Sequence, residues 1–229
     1  MAYRTEEWES MYAPATPHPK CDIDFCQLPS KYDVDIDLLE NELRNLLVDK
    51  TAMGQYPLPN GGVFPGYWGL CFKSAPGQEN PYYDGLKSNS LLAMRRRHAM
   101  IDENYTVKND IWFPYLDEIE SKFNGQITQV RLIKLDAGCN LGEKQHIDYP
   151  WYKGIRMHIP LTPGLKYEWR VLHKQYFAER SPHMYFLDTG KPHDARNKAN
   201  AVDRYLLNIN MIPHTIDIPI HEQIQQEIL

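Results

Sequence analysis

A chain of 229 residues, 42% hydrophobic and 24% charged, is long enough to bury a core of its own and has the balance of a soluble globular domain. Its formal charge of −5 and pI near 6.0 exclude any overall electrostatic drive towards nucleic acid or an anionic membrane. No run approaches the roughly 18–20 apolar residues that span a bilayer. Glu6, Glu7 and Glu9 interrupt the place where a signal peptide carries its apolar core, so the expected location is cytoplasmic.

The first thirty residues, rich in Pro and Tyr, read as an irregular arm. Cys21, Cys26, Cys71 and Cys139 are scattered as reduced thiols would be; Cys21, Cys26 and His18 make only half of a zinc site. Asp37 is expected to cap a helix running to about Asp49, with Leu39, Leu43, Leu46 and Leu47 on one face. Residues 52–87 hold Asn60-Gly61-Gly62 and Pro65-Gly66 and predict turns joining short strands. A helix is expected over 88–98, where Arg95-Arg96-Arg97 forms a solvated face. Another begins at Pro114, turns Tyr115, Ile119 and Phe123 inward, and stops at Asn124-Gly125.

From Gln126 the period changes from helical to two. Strands are expected over 127–135, 155–162, 167–172, 183–188 and 204–212, separated by Pro-Gly, Ser-Pro and Thr-Gly turns. Many short strands at close spacing predict a mainly β fold with helices (α+β). Its core is a double-stranded β-helix of jelly-roll, cupin-like type, braced by N-terminal helices. The chain is read as one domain: residues 1–125 a helical and irregular support, 126–212 the metal-binding core, 213–229 a tail.

His146-Ile147-Asp148 sets an imidazole and a carboxylate on one face of an extended segment, because residues two apart point the same way. A His-x-Asp pair alone is common, and a histidine on a surface loop would give it equally. His193 offers a third ligand. Two histidines and a carboxylate on one side of a first-row metal leave the opposite positions open for a bidentate co-substrate and dioxygen. Arg156 and His158 share a face of their strand, and Arg204 opens a strand that is otherwise largely apolar. Each arginine alone fits an ion pair at a sheet edge. Two arginines and a histidine directed at one metal pocket need anions, and a dicarboxylate provides them in the forked geometry that arginine prefers.

The stretches RLIKLDAGCNLGEKQHIDYPWYKGIRMHIPLT and YFLDTGKPHDARNKANAVDRYLLNINMI resemble the aspartyl/asparaginyl β-hydroxylase family of Fe(II)- and 2-oxoglutarate-dependent dioxygenases. That family includes free-amino-acid hydroxylases such as proline cis-hydroxylases. The resemblance covers roughly the last hundred residues. It implies Fe(II) held by His146, Asp148 and His193, with 2-oxoglutarate and dioxygen as co-substrates. Arg204 would anchor the distal carboxylate of 2-oxoglutarate, and Arg156 and His158 would join the same pocket. Asn197 matches an Asn after the distal His and is expected in a turn or behind the ligands. Asp148 keeps the acidic ligand that some members acting on protein domains lack, and counts against a halogenase.

Tyr149, Trp151 and Trp169 are candidates to wall a substrate pocket, although core packing explains an aromatic residue equally. Arg131 is a candidate for a substrate carboxylate; a solvent-facing arginine on an alternating strand is the competing reading. Lys153 and Glu168 are of the same kind. The expected activity is hydroxylation of an unactivated C–H bond of a free amino acid or a small derivative, giving succinate and carbon dioxide. A hydroxylase of a peptide, protein or carrier-bound side chain is the nearest rival. A metal-binding cupin without oxygenase activity is the rival from another class, and a zinc hydrolase fits the paired arginines least well.

Overall fold

The computed structural model describes residues 23–48, 53–57, 63–74, 106–123, 125–139, 155–198 and 201–213. The helix expected over 88–98, Cys21, His18, Lys153 and the tail beyond residue 213 lie outside the described residues. The elements in chain order are β1 (Phe25–Gln27), a short 3-10 turn (Ser30–Tyr32), α1 (Ile36–Val48), β2 (Gly54–Pro57), β3 (Val63–Cys71), β4 (Lys73–Ser74) and β5 (Val107–Lys108). They continue with α2 (Pro114–Ser121), β6 (Gly125–Leu135), β7 (Ile155–Pro160), β8 (Tyr167–Val171), β9 (Lys174–Ala178), β10 (Tyr185–Leu187), β11 (His193–Arg196) and β12 (Arg204–Pro213).

The helices follow local rules. Asp35 caps α1: its carboxylate accepts the backbone N–H of Leu38 at 2.9 Å, one of the donors that a helix start leaves unpaired. Asp37, expected as the cap, sits instead in the first turn and pairs with Arg180 at 2.7 Å. The cap lies two residues earlier because Asp35 immediately precedes the first helical residue, and its side chain reaches the third N–H. Leu39 and Leu43 are fully buried, as the leucine stripe requires. In α2, Pro114 occupies the first turn, and Tyr115, Leu116 and Ile119 are buried. Phe123 stacks on Tyr32 with centroids 4.9 Å apart.

Among the described residues the strands form a seven-stranded antiparallel sheet in the order β1-β10-β7-β12-β6-β3-β2, facing a three-stranded sheet in the order β11-β8-β9, with β4 and β5 paired separately. After β7 the chain crosses to the small sheet for β8 and β9, returns for β10, crosses again for β11 and returns for β12. This alternation is a double-stranded β-helix. The protein is mainly β with helices, and its core is a jelly roll of cupin type. The large sheet extends past the core: β1 adds one edge, and β3 and β2 the other. The N-terminal half therefore contributes strands as well as support. Gly66 inside β3 adopts φ +74°, and a Cβ there would meet Cys139 Sγ at 3.2 Å; the turn-like Pro65-Gly66 masked a long strand.

Alternation along β12 sorts its side chains into two cores. Leu207, Ile209 and Met211 join Leu132, Met157 and Ile159 against the helical residues Leu39, Leu43, Leu116 and Ile119. Leu206 faces the other way, into a cluster between the sheets with Tyr167, Trp169, Val171 and Leu187. Each fully buried Leu, Ile or Met contributes about 1.5–3 kcal/mol. Arg204, Asn208 and Asn210 share parity with Leu206, so the strand that anchors the helical core also presents its polar residues to the interior. Among the described residues no helix is long and apolar enough to cross a membrane.

Candidate metal and co-substrate site

Arg204 begins β12, pairs across from Leu135 and is 1% exposed. Its guanidinium lies over the rings of Tyr167 and Trp169, 4.6 and 4.7 Å from their centroids. Nη1 donates to the carbonyls of Glu168 at 3.2 Å and Arg196 at 2.8 Å. Nη2 is buried with no hydrogen-bond partner among the described residues. Burial draws its pKa down to about 10, which leaves the cation charged at neutral pH. The carboxylate of Glu168 points elsewhere, to Lys198 at 2.6 Å and to the amide of Gln175 at 3.1 Å. Tyr167 is itself fixed: its hydroxyl accepts the N–H groups of Leu161 and Thr162, at 3.1 and 2.8 Å, and donates to the carbonyl of Tyr205.

Two buried asparagines of β12 set the rest of the inner wall. Asn208 lies opposite Arg131 on β6 and His158 on β7, and Asn210 lies opposite Arg156. Asn208 Oδ1 accepts from Arg131 Nη2 at 3.1 Å, and its Nδ2 faces His158 Nδ1 at 3.4 Å. Asn210 Oδ1 accepts from Arg156 Nε at 3.1 Å, and its Nδ2 donates to Gln129 Oε1 at 3.0 Å. Each amide thus turns one arginine and carries the contact on to a second polar group. With Nδ1 of His158 facing an amide donor, its proton resides on Nε2, and Nε2 is buried without a partner among the described residues. The imidazole stands 5.5 Å from Trp169, the ring that also carries Arg204.

Burial first, and then the charges of Arg156, Arg204, His193 and Arg131, hold the His158 pKa well below 6.5. The folded protein keeps this ring neutral while the unfolded chain protonates it near 6.5, so its contribution to stability is full above that pH and is lost as pH falls below it. In metal-free protein, His158→Gln is expected to flatten the decline in stability below pH 6.5 by as much as about 1 kcal/mol per pH unit. Thermal unfolding between pH 5 and 7.5 measures it, and an unchanged slope would contradict the neutral assignment.

His193 opens β11 opposite Val171 and is buried. Its Nδ1 lies 2.9 Å from the carbonyl of Lys191, so Nδ1 donates and Nε2 holds the lone pair that a metal requires. Asp194 faces the other side of the strand, where both of its oxygens accept from Arg170 Nε, at 3.1 and 2.9 Å. Asn197 gathers the carbonyls of Leu135, Asp136 and Val202 through Nδ2, at 3.2, 3.1 and 2.9 Å. It thereby ties the end of β11 to β6 and to the entry of β12, beside the Arg196 carbonyl that holds Arg204.

The structure brings together Arg131, Arg156, His158, Trp169, His193 and Arg204. Trp169, 1% exposed, lies beneath the guanidinium of Arg204 in the core between the sheets. His146, Asp148, Tyr149 and Trp151 lie outside the described residues; among those described, no three His, Cys, Asp or Glu side chains converge as a metal site. Sequence reasoning missed Asn208, Asn210 and Tyr167. The signal for the asparagines was present: they recur at the parity of Arg204 in a strand whose other parity is apolar.

No family model matches the chain, and no curated protein matches it. Among solved structures it is similar to a prolyl hydroxylase from Trichoplax adhaerens in complex with a peptide fragment of the hypoxia inducible factor oxygen degradation domain. The identity is 15% and the TM-score 0.44, over 82% of this chain and 83% of that one. It is also similar to an oxidoreductase of the 2OG-Fe(II) oxygenase family from Burkholderia pseudomallei, at 12% identity and a TM-score of 0.42, over 83% and 84% of the two chains. A predicted oxalate decarboxylase from Thermotoga maritima matches a shorter span, 37% of this chain and 66% of that one, at 18% identity and a TM-score of 0.30. The jelly-roll assignment rests on the strand order itself.

Proposed function

We propose that the chain is an Fe(II)- and 2-oxoglutarate-dependent dioxygenase, akin to the aspartyl/asparaginyl β-hydroxylases, that hydroxylates a free amino acid or a small amino-acid derivative. One observation carries the reading. Among the described residues, two buried N–H donors, Arg204 Nη2 and His158 Nε2, lack acceptors and rest against the same indole, Trp169. An unsatisfied buried donor costs about 1–3 kcal/mol, and an anion with well-spaced oxygens relieves both at once. 2-Oxoglutarate has that form, and Arg204 would take its distal carboxylate.

His193, with its lone pair directed by the Lys191 carbonyl, would hold iron together with His146 and Asp148. Iron and co-substrate, when bound, supply an oxidant able to break an unactivated C–H bond. The chain supplies the rest. Tyr167 and Trp169 exclude water from the guanidinium of Arg204, Asn210 orients Arg156 towards the co-substrate pocket, and Asn208 presents Arg131 to a substrate carboxylate. Tyr149 and Trp151 would complete the substrate wall. Residues 126–212 act as the catalytic core of one domain.

Succinate formation from 2-oxoglutarate with Fe(II), measured against a panel of free amino acids, tests this reading; stimulation by at least one member is expected. With 2-oxoglutarate bound but no member effective, the substrate moves to a peptide or carrier-bound side chain. Absence of 2-oxoglutarate binding would leave a metal-binding cupin.

A further inference from the structure

The turn that delivers His193 is clamped to the N-terminal segment by a group of charges that the site itself does not use. Asp24, immediately before β1, is 8% exposed. Its Oδ1 accepts from Lys191 Nζ at 2.8 Å, and its Oδ2 from Tyr176 Oη at 2.8 Å and Lys174 Nζ at 3.2 Å. Its carbonyl accepts the N–H of Asp188 at 3.0 Å. Asp188, buried, takes the N–H of Gly190 on Oδ1 at 3.0 Å and Lys191 Nζ on Oδ2 at 3.2 Å. The turn is closed on its far side by the N–H of Leu172 on the carbonyl of Pro192, 2.7 Å away.

Lys191 therefore does two things at once. Its ammonium is held between two carboxylates, and its carbonyl accepts the proton on His193 Nδ1. Fixing the one fixes the other, because only the residue's own backbone separates them. For stability alone, buried charges of this kind are no better than apolar side chains of the same volume. What the arrangement secures is a position, that of the peptide carbonyl which sets the tautomer and tilt of the imidazole.

We infer that Asp24 is a positioning residue for the metal: through Lys191 it locks the carbonyl that aims Nε2 of His193. The inference rests on His193 being a metal ligand. It gives the N-terminal segment, far from the metal-binding residues in sequence, a direct part in metal affinity.

Co(II), whose visible bands report coordination, serves as the probe in titrations of the full chain. Asp24→Asn and Lys191→Met are each expected to weaken Co(II) binding about 10-fold or more and to alter its visible spectrum, in the range typical for groups behind a ligating histidine. Lys174→Ala removes only an exposed partner of Asp24 and is expected to leave affinity within about two-fold of the wild type. Arg180→Ala cuts the ties to Asp37 and Glu40 on α1, so it is expected to lower the melting temperature without changing Co(II) affinity. Wild-type uptake of Co(II) with unchanged affinity in both Asp24→Asn and Lys191→Met would overturn the clamp. So would a loss in Arg180→Ala that matches theirs at equal destabilisation. A wild type that takes up no Co(II) would overturn the ligand reading, and the clamp with it.

Discussion

Arg204→Met is expected to remove 2-oxoglutarate binding while raising the thermal stability of the metal-free protein. The two effects have one cause. A cation buried over two neighbouring rings, with two carbonyls on one nitrogen and, among the described residues, no acceptor on Nη2, is poorly compensated until an anion arrives. Its pKa, drawn down by burial to about 10, records the sign. The unfolded chain binds that proton more tightly than the folded one, so the penalty is full at neutral pH and lifts only as pH rises through about 10. Replacing poorly compensated buried charge by an apolar side chain of similar volume gains about 1–3 kcal/mol, or several degrees in melting temperature for a chain of this length. Removing the partner of a buried carboxylate costs about 2–5 kcal/mol of binding, roughly 30-fold or more in affinity. Arg204→Lys is expected not to rescue it, since an ammonium cannot lie flat over Tyr167 and Trp169 or present a fork. Melting curves with and without 2-oxoglutarate measure both effects. Wild-type binding by Arg204→Met, or a large fall in its stability, would contradict the assignment.

The two buried histidines of the inner wall are expected to separate cleanly. His193→Ala should weaken Fe(II) or Co(II) binding at least about 100-fold, more than the loss of a group behind a ligand. His158→Ala should leave metal affinity close to the wild type and weaken 2-oxoglutarate by about 10-fold, the size of one hydrogen bond to a charged acceptor. The reason lies in their nitrogens. His193 gives its proton to the Lys191 carbonyl and keeps an electron pair, whereas His158 faces Asn208 with Nδ1 and keeps a proton on Nε2. Calorimetric titration of each variant with metal and then with 2-oxoglutarate reads both constants. Equal losses of metal in the two variants would contradict the division of roles.

Much of this site was legible because a strand's period is short and strict. Arg156 with His158, and Arg204 at the head of an apolar strand, stand out where charge interrupts alternation, and the structure places all three on the inner face. β11 was not legible, since His193-Asp194-Ala195-Arg196 carries no apolar alternation and is held by pairing to β8. β9 was missed because most of it is exposed, so no buried face marks it. Short strands were expected over 52–87, but the length of β3 was hidden by Pro65-Gly66, which a strand tolerates where another segment approaches closely, as Cys139 approaches Gly66. Tyr167 read as one aromatic residue among many; its role comes from hydroxyl contacts to the backbone of Leu161 and Thr162 just before its strand and of Tyr205 on β12, which strand alternation does not record.

Anaerobic addition of Fe(II) and 2-oxoglutarate to the metal-free protein tests the central claim most directly. A weak visible charge-transfer band is expected that needs both additions, is lost in His193→Ala with the metal, and is lost in Arg204→Met with iron still bound. Tight iron binding with no band at saturating 2-oxoglutarate in the wild type would contradict it.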